Sequence, residues 1–506
     1  MLSVHHHAPP DPVPAPFNMA AHVLARAPQL GAKTALMIVT ADSADRWSYA
    51  RLEEAVRGAA SGLLALGLPP GAFILLRLGN TPEFAVAFLG AIAAGLVPVP
   101  TSSQLTVAEI TRLARELDPA LVIAGEGIAL PDHPAPVLRE AALRDFEHLP
   151  PAAYAMGSPD RLAYIIYTSG TSGRPRAVMH AHRAIWARRM MHAGWYGLAE
   201  DDRLMHAGAF NWTYTLGTGL MDPWAVGATA LIPGAGVDAR QLGALLRRYD
   251  VTIFACVPGV YRQILKHDAR LVLPRLRHGL SAGESLSAAL RGAWRAAVGT
   301  DLHEALGMSE CSTFISSCPA RPAPDGAIGY AQAGRHVAVL GGDGAPVPRG
   351  EAGILAVHRG DPGLFLGYLG AAEETAARFQ GDWFMTGDTV RMAEDGAISY
   401  VARADDMLNA GGYRVSPLEV EGALAACPNA GDVAAVELRV REDASVIAVF
   451  FTGTATAEAL AAHAETVLAR YKQPRLYLHL PALARNANGK LDRGAMRRAE
   501  EARRGF

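Results

Sequence analysis

Between about residue 45 and residue 340, short apolar runs alternate with helical patterns, and this alternation restricts the possible folds more than any other feature. The runs have the length of strands and are mostly apolar from end to end: AFILLRL, LVPVP, PALVIAG, ATALIP and VTIFACVP. Strands that are apolar on both faces are typical of parallel sheets covered by helices on both sides. The sequence therefore predicts an α/β protein with a large N-terminal domain of doubly wound sheets.

The pattern changes after about residue 325. Alternating strands joined by Gly-containing turns, as in VRMAEDGAISYVAR, predict an antiparallel β region attached to the α/β body. Beyond residue 405, helices and paired strands predict a small α+β domain of about a hundred residues. The predicted organisation is a disordered, proline-rich lead at residues 1–16, an N-terminal domain at 17–404 and a C-terminal domain at 405–506.

Composition excludes several classes of protein. The chain has 506 residues and a formal net charge of -2, which gives no electrostatic case for a nucleic-acid partner or an anionic membrane. Its longest apolar stretch, FAVAFLGAIAAGLVPVP, is short for a membrane span and contains prolines. The first residues lack the charged-then-apolar order of a signal peptide. Four scattered cysteines without a C-x-x-C pair make a disulfide framework or zinc site improbable, so we expect a cytoplasmic protein.

The stretch YTSGTSGRPR at residues 167–176 is the first candidate for chemistry. Hydroxyls, glycines and arginines at this density make a loop, between the apolar run AYIIY and a helical pattern that starts at HAHRAIWARR. Glycine backbone N–H groups, hydroxyls and guanidinium groups all suit a phosphate. The loop fits neither the Walker pattern nor the dinucleotide fingerprint. On these ten residues alone, a flexible surface loop stays open as the alternative.

Five further polar clusters follow in the chain, and each alone could be an ordinary turn or loop. They are SAGES (281–285), EALGMSE (304–310), WFMTGD (383–388), ARADDMLNAGGYRVSPLEVE (402–421) and NANGKLDR (486–493). Taken together and in this order, the six motifs resemble the adenylate-forming superfamily, over about residues 17–500. This superfamily contains acyl- and aryl-CoA synthetases, adenylation domains of peptide synthetases and firefly-type luciferases.

The resemblance implies an AMP-forming acid–CoA ligase that uses ATP, Mg²⁺ and CoA. The enzyme would adenylate a carboxylic acid, release pyrophosphate, and then transfer the acyl group to CoA with release of AMP. The residues that match the family's nucleotide site are Thr168, Ser169, Gly170, Thr171, Ser172, Gly173 and Arg176 in the phosphate loop, Gly283, Glu284 and Ser285 along the adenine, Gly307, Met308 and Ser309 before the acidic residue, and Asp388 and Arg403 at the ribose.

The remaining matches concern the metal, the catalytic lysine and the second step. Glu310, with Thr171, matches the Mg²⁺ site, and a hard cation suits carboxylate and phosphate oxygens. Lys490 matches the mobile lysine that reaches the carboxylate and the α-phosphate, so Lys490 and Glu310 are the expected catalytic residues. Asp405 matches the hinge of a mobile C-terminal domain. The residues expected on the CoA side are Gly411, Gly412 and Tyr413.

Two positions depart from the family pattern. The family usually has Lys-Gly where this chain has Arg176-Ala177, and arginine retains the positive charge. The family often places an aromatic residue where this chain has Leu306. We expect these changes to alter nucleotide affinity rather than abolish the site.

The segment GAFNWTYTLGTGL at residues 207–219 resembles the pocket segment of benzoate-type CoA ligases and contains no acidic residue. Phe210, Trp212, Tyr214 and Met308 would then line a pocket for an aryl or compact acyl group. The alternative is that these aromatic residues are simply core. Two functional alternatives also stay open: a stand-alone ligase that loads a carrier protein, and a nucleotide-binding pseudoenzyme. The oligomeric state is open between a monomer and a homodimer.

Overall fold

The computed structural model describes residues 1–6, 11–168, 175–403, 408–410, 413–441, 444–468, 470, 472–486 and 489–505. Its strands are β1 (Val4–His6), β2 (Thr34–Val39), β3 (Ala44–Ser48), β4 (Phe73–Arg77), β5 (Val97–Pro100), β6 (Leu121–Ala124), β7 (Val137–Arg139), β8 (Leu162–Thr168), β9 (Arg176–Ala181), β10 (Arg203–His206), β11 (Thr229–Pro233), β12 (Ile253–Cys256), β13 (His278–Ala282), β14 (Asp301–Met308), β15 (Ser312–Ser316), β16 (Tyr330–Ala331), β17 (His336–Leu340), β18 (Ala352–His358), β19 (Gly367–Tyr368), β20 (Phe379–Gln380), β21 (Trp383–Met392), β22 (Ile398–Arg403), β23 (Leu408–Ala410), β24 (Tyr413–Val415), β25 (Ala430–Arg441), β26 (Ala444–Gly453) and β27 (Leu476–His479).

Its helices are α1 (Met19–Val23), α2 (Ala27–Leu30), α3 (Tyr49–Ala65), α4 (Pro82–Ala93), α5 (Val107–Leu117), α6 (Glu140–Phe146), α7 (Ala184–Ala187), α8 (Arg189–Met191), α9 (Asp222–Val226), α10 (Ala239–Arg248), α11 (Pro258–His267), α12 (Ala288–Val298), α13 (Ala372–Ala377), α14 (Pro417–Ala425), α15 (Ala457–Val467) and α16 (Arg493–Arg504). Two π-helical turns cover His192–Tyr196 and Thr215–Met221.

A nine-stranded sheet carries most of the candidate site. Its strand order is β16-β15-β14-β13-β12-β10-β11-β2-β3. The six central strands, β14-β13-β12-β10-β11-β2, are parallel. At the two ends of the sheet, β15 pairs antiparallel with β14 and β3 pairs antiparallel with β2. Apolar side chains of α10, α11 and α12 cover one face. Because the carboxyl ends of parallel neighbours meet at one edge, the segments after β13 and β14 lie side by side.

A second parallel sheet has the order β5-β4-β6-β7. Helix α4 is buried along its whole length and packs with α3 in the largest apolar cluster, whereas α5 covers the other face. Helix α4 starts at Pro82, directly after Thr81, as its sequence predicts. The two parallel sheets with helices on both faces confirm the predicted α/β class.

A three-stranded sheet of order β19-β9-β8 corrects one prediction. The sequence predicted that the loop after β8 leads into a helix. The structure has strand β9 there, antiparallel to β8, and helix α7 begins only at Ala184. Of the segment predicted to be helical, only its first two residues, His180 and Ala181, lie in this strand, where pairing with β8 and β19 stabilises the extended backbone. The rest of the segment is largely helical, from Ala184 to Tyr196.

The antiparallel region predicted after residue 325 is present as a sheet of order β1-β17-β18-β21-β20, with β22 paired to β21. The C-terminal part consists of the sheet β25-β26-β27 with α14 and α15 on one face and α16 on the other. The chain forms two compact units. The smaller unit is Met1–Val4, Val337–Ala356 and Met385–Phe506, and the larger unit is His5–His336 and Val357–Phe384. The predicted boundary at Asp405 lies outside the described residues.

The predicted disorder of the lead is wrong for residues 1–6. Strand β1 starts at Val4, and the Ser3 backbone N–H donates to the carbonyl of Val347 at 2.8 Å. The Ser3 carbonyl accepts from the Val339 N–H at 2.9 Å. The edge of β17 offers backbone groups that this segment pairs with, and its prolines begin only at Pro9.

No helix in the described part of the chain combines the length and the apolar content that a membrane crossing needs.

Candidate active site

The strands on both sides of the predicted phosphate loop are well defined. Thr168 ends β8 and is paired with Arg176, which begins β9. The loop therefore leaves and re-enters the same antiparallel ladder. The loop residues named from the sequence, Ser169, Gly170, Thr171, Ser172 and Gly173, lie outside the described residues.

The guanidinium of Arg176 contacts residues from a distant part of the chain. It forms an ion pair with Glu374, and its guanidinium carbon lies 5.5 Å from the centre of the Tyr368 ring. Tyr368 is on β19, whose pairing with β9 places it opposite Val178. A guanidinium over an aromatic face is an attractive arrangement, so Tyr368 helps to orient Arg176.

The same tyrosine contacts the predicted magnesium ligand. The Tyr368 hydroxyl donates a hydrogen bond to Oε1 of Glu310 at 2.6 Å. Burial, and then the Glu310 carboxylate, raise the pKa of Tyr368 well above its ordinary value, so the hydroxyl stays protonated and remains a donor. Tyr368 thus joins Arg176 to Glu310, two residues that the sequence motifs had named independently.

Glu310 lies in the turn between β14 and β15, and the turn is held by backbone contacts. The Phe365 N–H donates to the Glu310 carbonyl at 2.7 Å. A Cβ on Gly307 would lie 2.4 Å from the carbonyl oxygen of Ser312. Glycine is therefore required at position 307 for the two strands to approach.

The donor set at Glu310 fits a magnesium ion. Within the described residues there is no group of three or more His, Cys, Asp and Glu side chains able to hold a metal by themselves. Oε1 of Glu310 is engaged by Tyr368, whereas Oε2 makes no hydrogen bond to any described residue. Mg²⁺ is commonly bound by one or two carboxylates together with phosphate oxygens of a nucleotide, and a single carboxylate with one oxygen left for a ligand suits this mode.

The turn predicted to lie along the adenine follows β13. Gly283 has a φ of +92°, a left-handed conformation that favours glycine. Glu284 lies 3.8 Å from Nη2 of Arg262. Ala282 is paired with Ala305, so Gly283 follows β13 at the level where the 306–310 segment begins, and Ser285 lies two residues further along the same turn.

A buried glutamate that the sequence reasoning missed holds this turn. Oε1 of Glu304 accepts a hydrogen bond from the Leu286 N–H at 2.9 Å, and its other oxygen forms an ion pair with Arg291. Burial raises the pKa of Glu304 to about 7 in spite of the neighbouring guanidinium. The motif EALGMSE contains this residue, but only its last acidic residue had been singled out.

The predicted acyl-pocket residues are not equally placed. Phe210 is fully buried, with its ring 5.0 Å from that of Phe84, so it belongs to the core. Trp212 is partly buried, and its ring lies 5.3 Å from that of Tyr214. The Tyr214 hydroxyl donates to the Leu280 carbonyl at 3.2 Å. Met308, at the end of β14, is half-buried.

A buried ion pair lies next to this segment, and the sequence did not predict it. Arg188 and Asp222 have side chains that are 6% and 0% exposed, and Nη2 of Arg188 lies 2.6 Å from Oδ2 of Asp222. Burial alone would lower the pKa of Arg188, but the Asp222 carboxylate more than offsets this and the pKa is raised. Segment 207–219 is uncharged, as expected, yet a charged pair stands directly behind it.

The remaining predicted residues belong to the smaller unit. Asp388 is buried in β21, paired with Arg403 of β22, and its Oδ1 accepts from the Tyr400 hydroxyl at 3.2 Å. Lys490 is half-buried, and its backbone N–H donates to Oδ1 of Asn486 at 3.0 Å. Tyr413 begins β24. Asp405, Gly411 and Gly412 lie outside the described residues.

Comparison with known proteins shows which family the chain belongs to. Residues 24–369 match the family model described as AMP-binding enzyme. The chain is 30% identical over 495 residues to the mitochondrial acyl-coenzyme A synthetase ACSM5 of Rattus norvegicus, which covers 90% of this chain and 84% of that one. It is 30% identical over 545 residues to the benzoate–CoA ligase of Thauera aromatica, with 98% and 99% covered. It is also similar to the crystal structure of the anthranilate CoA ligase AuaEII with anthranoyl-AMP, with a TM-score of 0.88, 25% identity and coverage of 98% and 99%.

Proposed function

The chain belongs to the AMP-binding enzyme family, and we propose that it activates an uncharged aromatic or compact acyl carboxylic acid with ATP and transfers the acyl group to CoA. The class of reaction, an AMP-forming acid–CoA ligation that uses ATP, Mg²⁺ and CoA, agrees with the expectation from the motifs. The proposal adds the class of acid and the roles of individual residues.

The observation that carries the proposal is the connection Arg176–Tyr368–Glu310. It joins Arg176, Tyr368 and Glu310 from three distant parts of the sequence, and this supports a role for Arg176 at the phosphates and for Glu310 at Mg²⁺. This set suits a triphosphate better than it suits a surface turn, because it supplies a guanidinium, which can exchange its partner Glu374 for a phosphate, and a ligand for a divalent cation.

The chemistry explains why these charges are needed. An oxygen of the substrate carboxylate attacks the α-phosphorus, and the bond from that phosphorus to the pyrophosphate oxygen breaks. Two anions must approach each other, so cations placed at the reacting groups lower the barrier. Mg²⁺, held by Glu310 with Thr171 and the nucleotide oxygens, would neutralise charge on the phosphates. Arg176 and residues 168–173 would hold the pyrophosphate part, and Lys490 the carboxylate and α-phosphate.

The second step is a thioester exchange. The thiolate sulfur of CoA attacks the carbonyl carbon of the acyl adenylate, and AMP leaves. We propose that Asp388 and Arg403 bind the ribose, and that Gly411, Gly412 and Tyr413 lie on the CoA side. Asp405 is proposed as the hinge between domains 17–404 and 405–506.

The nature of the acid follows from the acyl segment. Gly283, Glu284, Ser285, Gly307, Met308 and Ser309 are assigned to the nucleotide, which leaves Trp212, Tyr214 and the side chain of Met308 for the acyl group. The pair Arg188–Asp222 is neutral overall, and an additional buried charge without a partner would cost several kcal/mol. The named acids of two similar ligases, benzoate and anthranilate, are both aromatic.

A pyrophosphate-release screen over aromatic, alicyclic and short-to-medium aliphatic acids tests the proposal. ATP and Mg²⁺ are present throughout, and each acid is assayed with free CoA, with a phosphopantetheinyl carrier protein and with neither. We expect release with an uncharged aryl or compact acyl acid, and thioester formation only with CoA. A strong preference for amino acids or dicarboxylic acids would contradict the pocket assignment. Thioester formation only on the carrier protein would contradict CoA as acceptor.

We also propose a cytoplasmic location and small-molecule partners only. The four cysteines are buried and unpaired, which suits a reducing compartment. Fractionation of the native cells tests the location, and sedimentation velocity distinguishes a homodimer from a monomer.

A further inference from the structure

A narrow cavity in the larger unit borders both the acyl segment and the turn that carries Glu310. The free space in it is about 10 Å³, which is the room of one water molecule or one hydroxyl group. Thr213 of its wall lies between Trp212 and Tyr214, and Ser309 precedes Glu310. The side chains that decide its chemistry are Tyr164, His180, Arg188, Thr213, Ser309 and Ser312.

Arg188 supplies a hydrogen-bond donor to this cavity. Its Nε donates to Oδ1 of Asp222 at 2.9 Å and its Nη2 to Oδ2 at 2.6 Å. Nη1 donates to the Ser312 hydroxyl, its single partner among the described residues. Since Nη1 carries two N–H groups, one of them is left for an acceptor in the cavity.

The position of the Arg188 guanidinium depends on the absence of a side chain at Gly217. A Cβ on Gly217 would lie 2.1 Å from the guanidinium carbon of Arg188. A glycine in the π-helical turn is therefore what allows the guanidinium to lie there.

His180 supplies the complementary acceptor. Its Nε2 lies 2.8 Å from the Ser309 carbonyl oxygen, and since that oxygen only accepts, Nε2 carries the proton. Burial lowers the pKa of His180 to about 4, so the ring is neutral at neutral pH. Nδ1 is then a bare acceptor, and it is buried without a hydrogen-bond partner in the described structure. His180 itself is 2% exposed.

We infer that the cavity receives a hydroxyl group on the acyl body of the acid, so that the preferred substrate is a hydroxylated acid. The inference rests on the proposed function. The hydroxyl would accept from Nη1 of Arg188 and donate to Nδ1 of His180. An unsubstituted acid would make neither hydrogen bond and would leave the two groups to a trapped water molecule, and a methoxy group has no proton for the imidazole. A carboxylate would bring a charge to a cavity whose charged side chains are already paired, Arg188 with Asp222 and Arg335 with Asp361.

The test compares kcat/KM for matched acids in the pyrophosphate-release assay with CoA. The set contains benzoate, its three hydroxy isomers and the corresponding methoxy and fluoro isomers, with cyclohexane carboxylate and its hydroxy derivatives as the non-aromatic counterpart. We expect one hydroxy acid to exceed its unsubstituted parent by at least about tenfold, because a site that binds a hydroxyl rejects analogues that lack it. The matching methoxy acid should be no better than the parent.

Two outcomes contradict the inference and are distinguishable. If kcat/KM for each parent acid equals or exceeds that for every one of its hydroxy derivatives, the cavity holds only water. The inference then fails, but the proposed function survives. If no acid of any kind gives pyrophosphate or thioester, the proposed function fails and the inference fails with it.

His180→Leu locates the preference in the cavity. This change removes the acceptor, so we expect the ratio of hydroxy to parent acid to fall below about threefold, chiefly through the hydroxy acid. The matched control is His278→Leu, a buried histidine whose Nε2 also lies 2.8 Å from a backbone carbonyl, that of Tyr196, outside the cavity. The control should keep the wild-type ratio.

A double variant covers the case in which His180→Leu does not fold. Arg188→Met with Asp222→Leu removes both charges together, which is tolerated better than removing one partner of a buried pair. Loss of the preference in either variant supports the inference. A preference that persists in a folded variant of either kind overturns it.

Discussion

At the residue scale, the ATP end of the proposed site depends on a single phenol hydroxyl. Tyr368 donates to the Glu310 carboxylate at 2.6 Å, and its ring lies beside the Arg176 guanidinium. Hydrogen bonds to a charged group contribute more than those between neutral groups. The tyrosine therefore fixes the direction of the carboxylate that would bind Mg²⁺.

The first prediction concerns Tyr368→Phe, which removes the hydroxyl and keeps the ring. We expect kcat/KM for MgATP to fall by about tenfold, because Glu310 loses the donor that orients it. The measurement is initial-rate pyrophosphate release at varied MgATP. The control is Tyr154→Phe, which removes a hydroxyl that also faces a glutamate, Glu53, at 3.4 Å. Equal losses in the two variants would contradict a specific role for Tyr368.

The second prediction concerns the pH dependence of folding stability at Glu304. Its folded pKa of about 7 is above the ordinary value for glutamate, so the folded state binds this proton more tightly than the unfolded state does. Its contribution to stability is therefore fully present below about pH 4 and is lost as pH rises through 7. Relative to Glu304→Gln, the wild type should lose about 2 kcal/mol of unfolding free energy between pH 5 and pH 8. Urea unfolding of both proteins at several pH values measures this. If the difference in unfolding free energy between the wild type and Glu304→Gln does not change with pH, the raised pKa of Glu304 is contradicted.

The motifs named the acidic, glycine and hydroxyl residues of the proposed site, but not the described residues that contact Glu310 and the acyl segment. Tyr368 lies in LGYLG, which has no spacing that indicates a catalytic role. Arg188 lies in a polar helical stretch, where an arginine is usually exposed. Its burial depends on Asp222 and on Gly217, which meet it only in the folded chain.

At the scale of elements, the approach of β14 and β15 places Glu310. The register of the pair shifts between Leu306 and Gly307, four residues before Glu310. Bulges of this kind aim a side chain at a site, and they tolerate little extra volume.

The third prediction concerns Gly307→Ala. The added Cβ would meet the Ser312 carbonyl at 2.4 Å, so the strands must move apart. We expect a loss of about 1–3 kcal/mol in unfolding free energy and a clear fall in adenylation activity. Gly292→Ala is the matched control, since a Cβ in that helix meets nothing within 4 Å. It should be neutral or slightly stabilising. Similar losses in both variants would contradict the argument from close approach.

The alternation of strands and helices was predictable because each apolar run is buried on both faces. Strand β9 was not predictable in the same way. Its six residues directly follow a loop rich in glycine and proline, and its extended form depends on partners at 162–168 and 367–368. Short strands whose partners are far along the chain have little signal of their own.

At the scale of the whole molecule, the proposed reaction has two steps with different requirements. Adenylation needs a positive charge at the carboxylate, which we assign to Lys490 of the smaller unit. The thioester step starts from an acyl adenylate that is already formed. A residue that is needed only for adenylation can therefore be recognised by measuring the two half-reactions of the complete enzyme separately.

The fourth prediction concerns Lys490→Ala. We expect adenylation to fall by roughly a hundredfold, the scale of losing one preorganised electrostatic donor. Thioester formation from a chemically supplied acyl adenylate should be spared. Single-turnover assays of each half-reaction measure this, with Lys472→Ala, a lysine that pairs with Glu419, as the control. Equal loss in both half-reactions would contradict a role confined to the first step.

The central claim is that this chain couples an acid to CoA through an acyl adenylate, and one experiment tests it directly. The wild-type enzyme is incubated with MgATP and its preferred acid from the screen, first without CoA and then with it, and all products are quantified by mass spectrometry. The account predicts enzyme-bound acyl adenylate and equimolar pyrophosphate before CoA is added, and then conversion of that adenylate to acyl-CoA and AMP in a one-to-one ratio. Formation of ADP and phosphate, or acyl-CoA that appears without an adenylate, would contradict it.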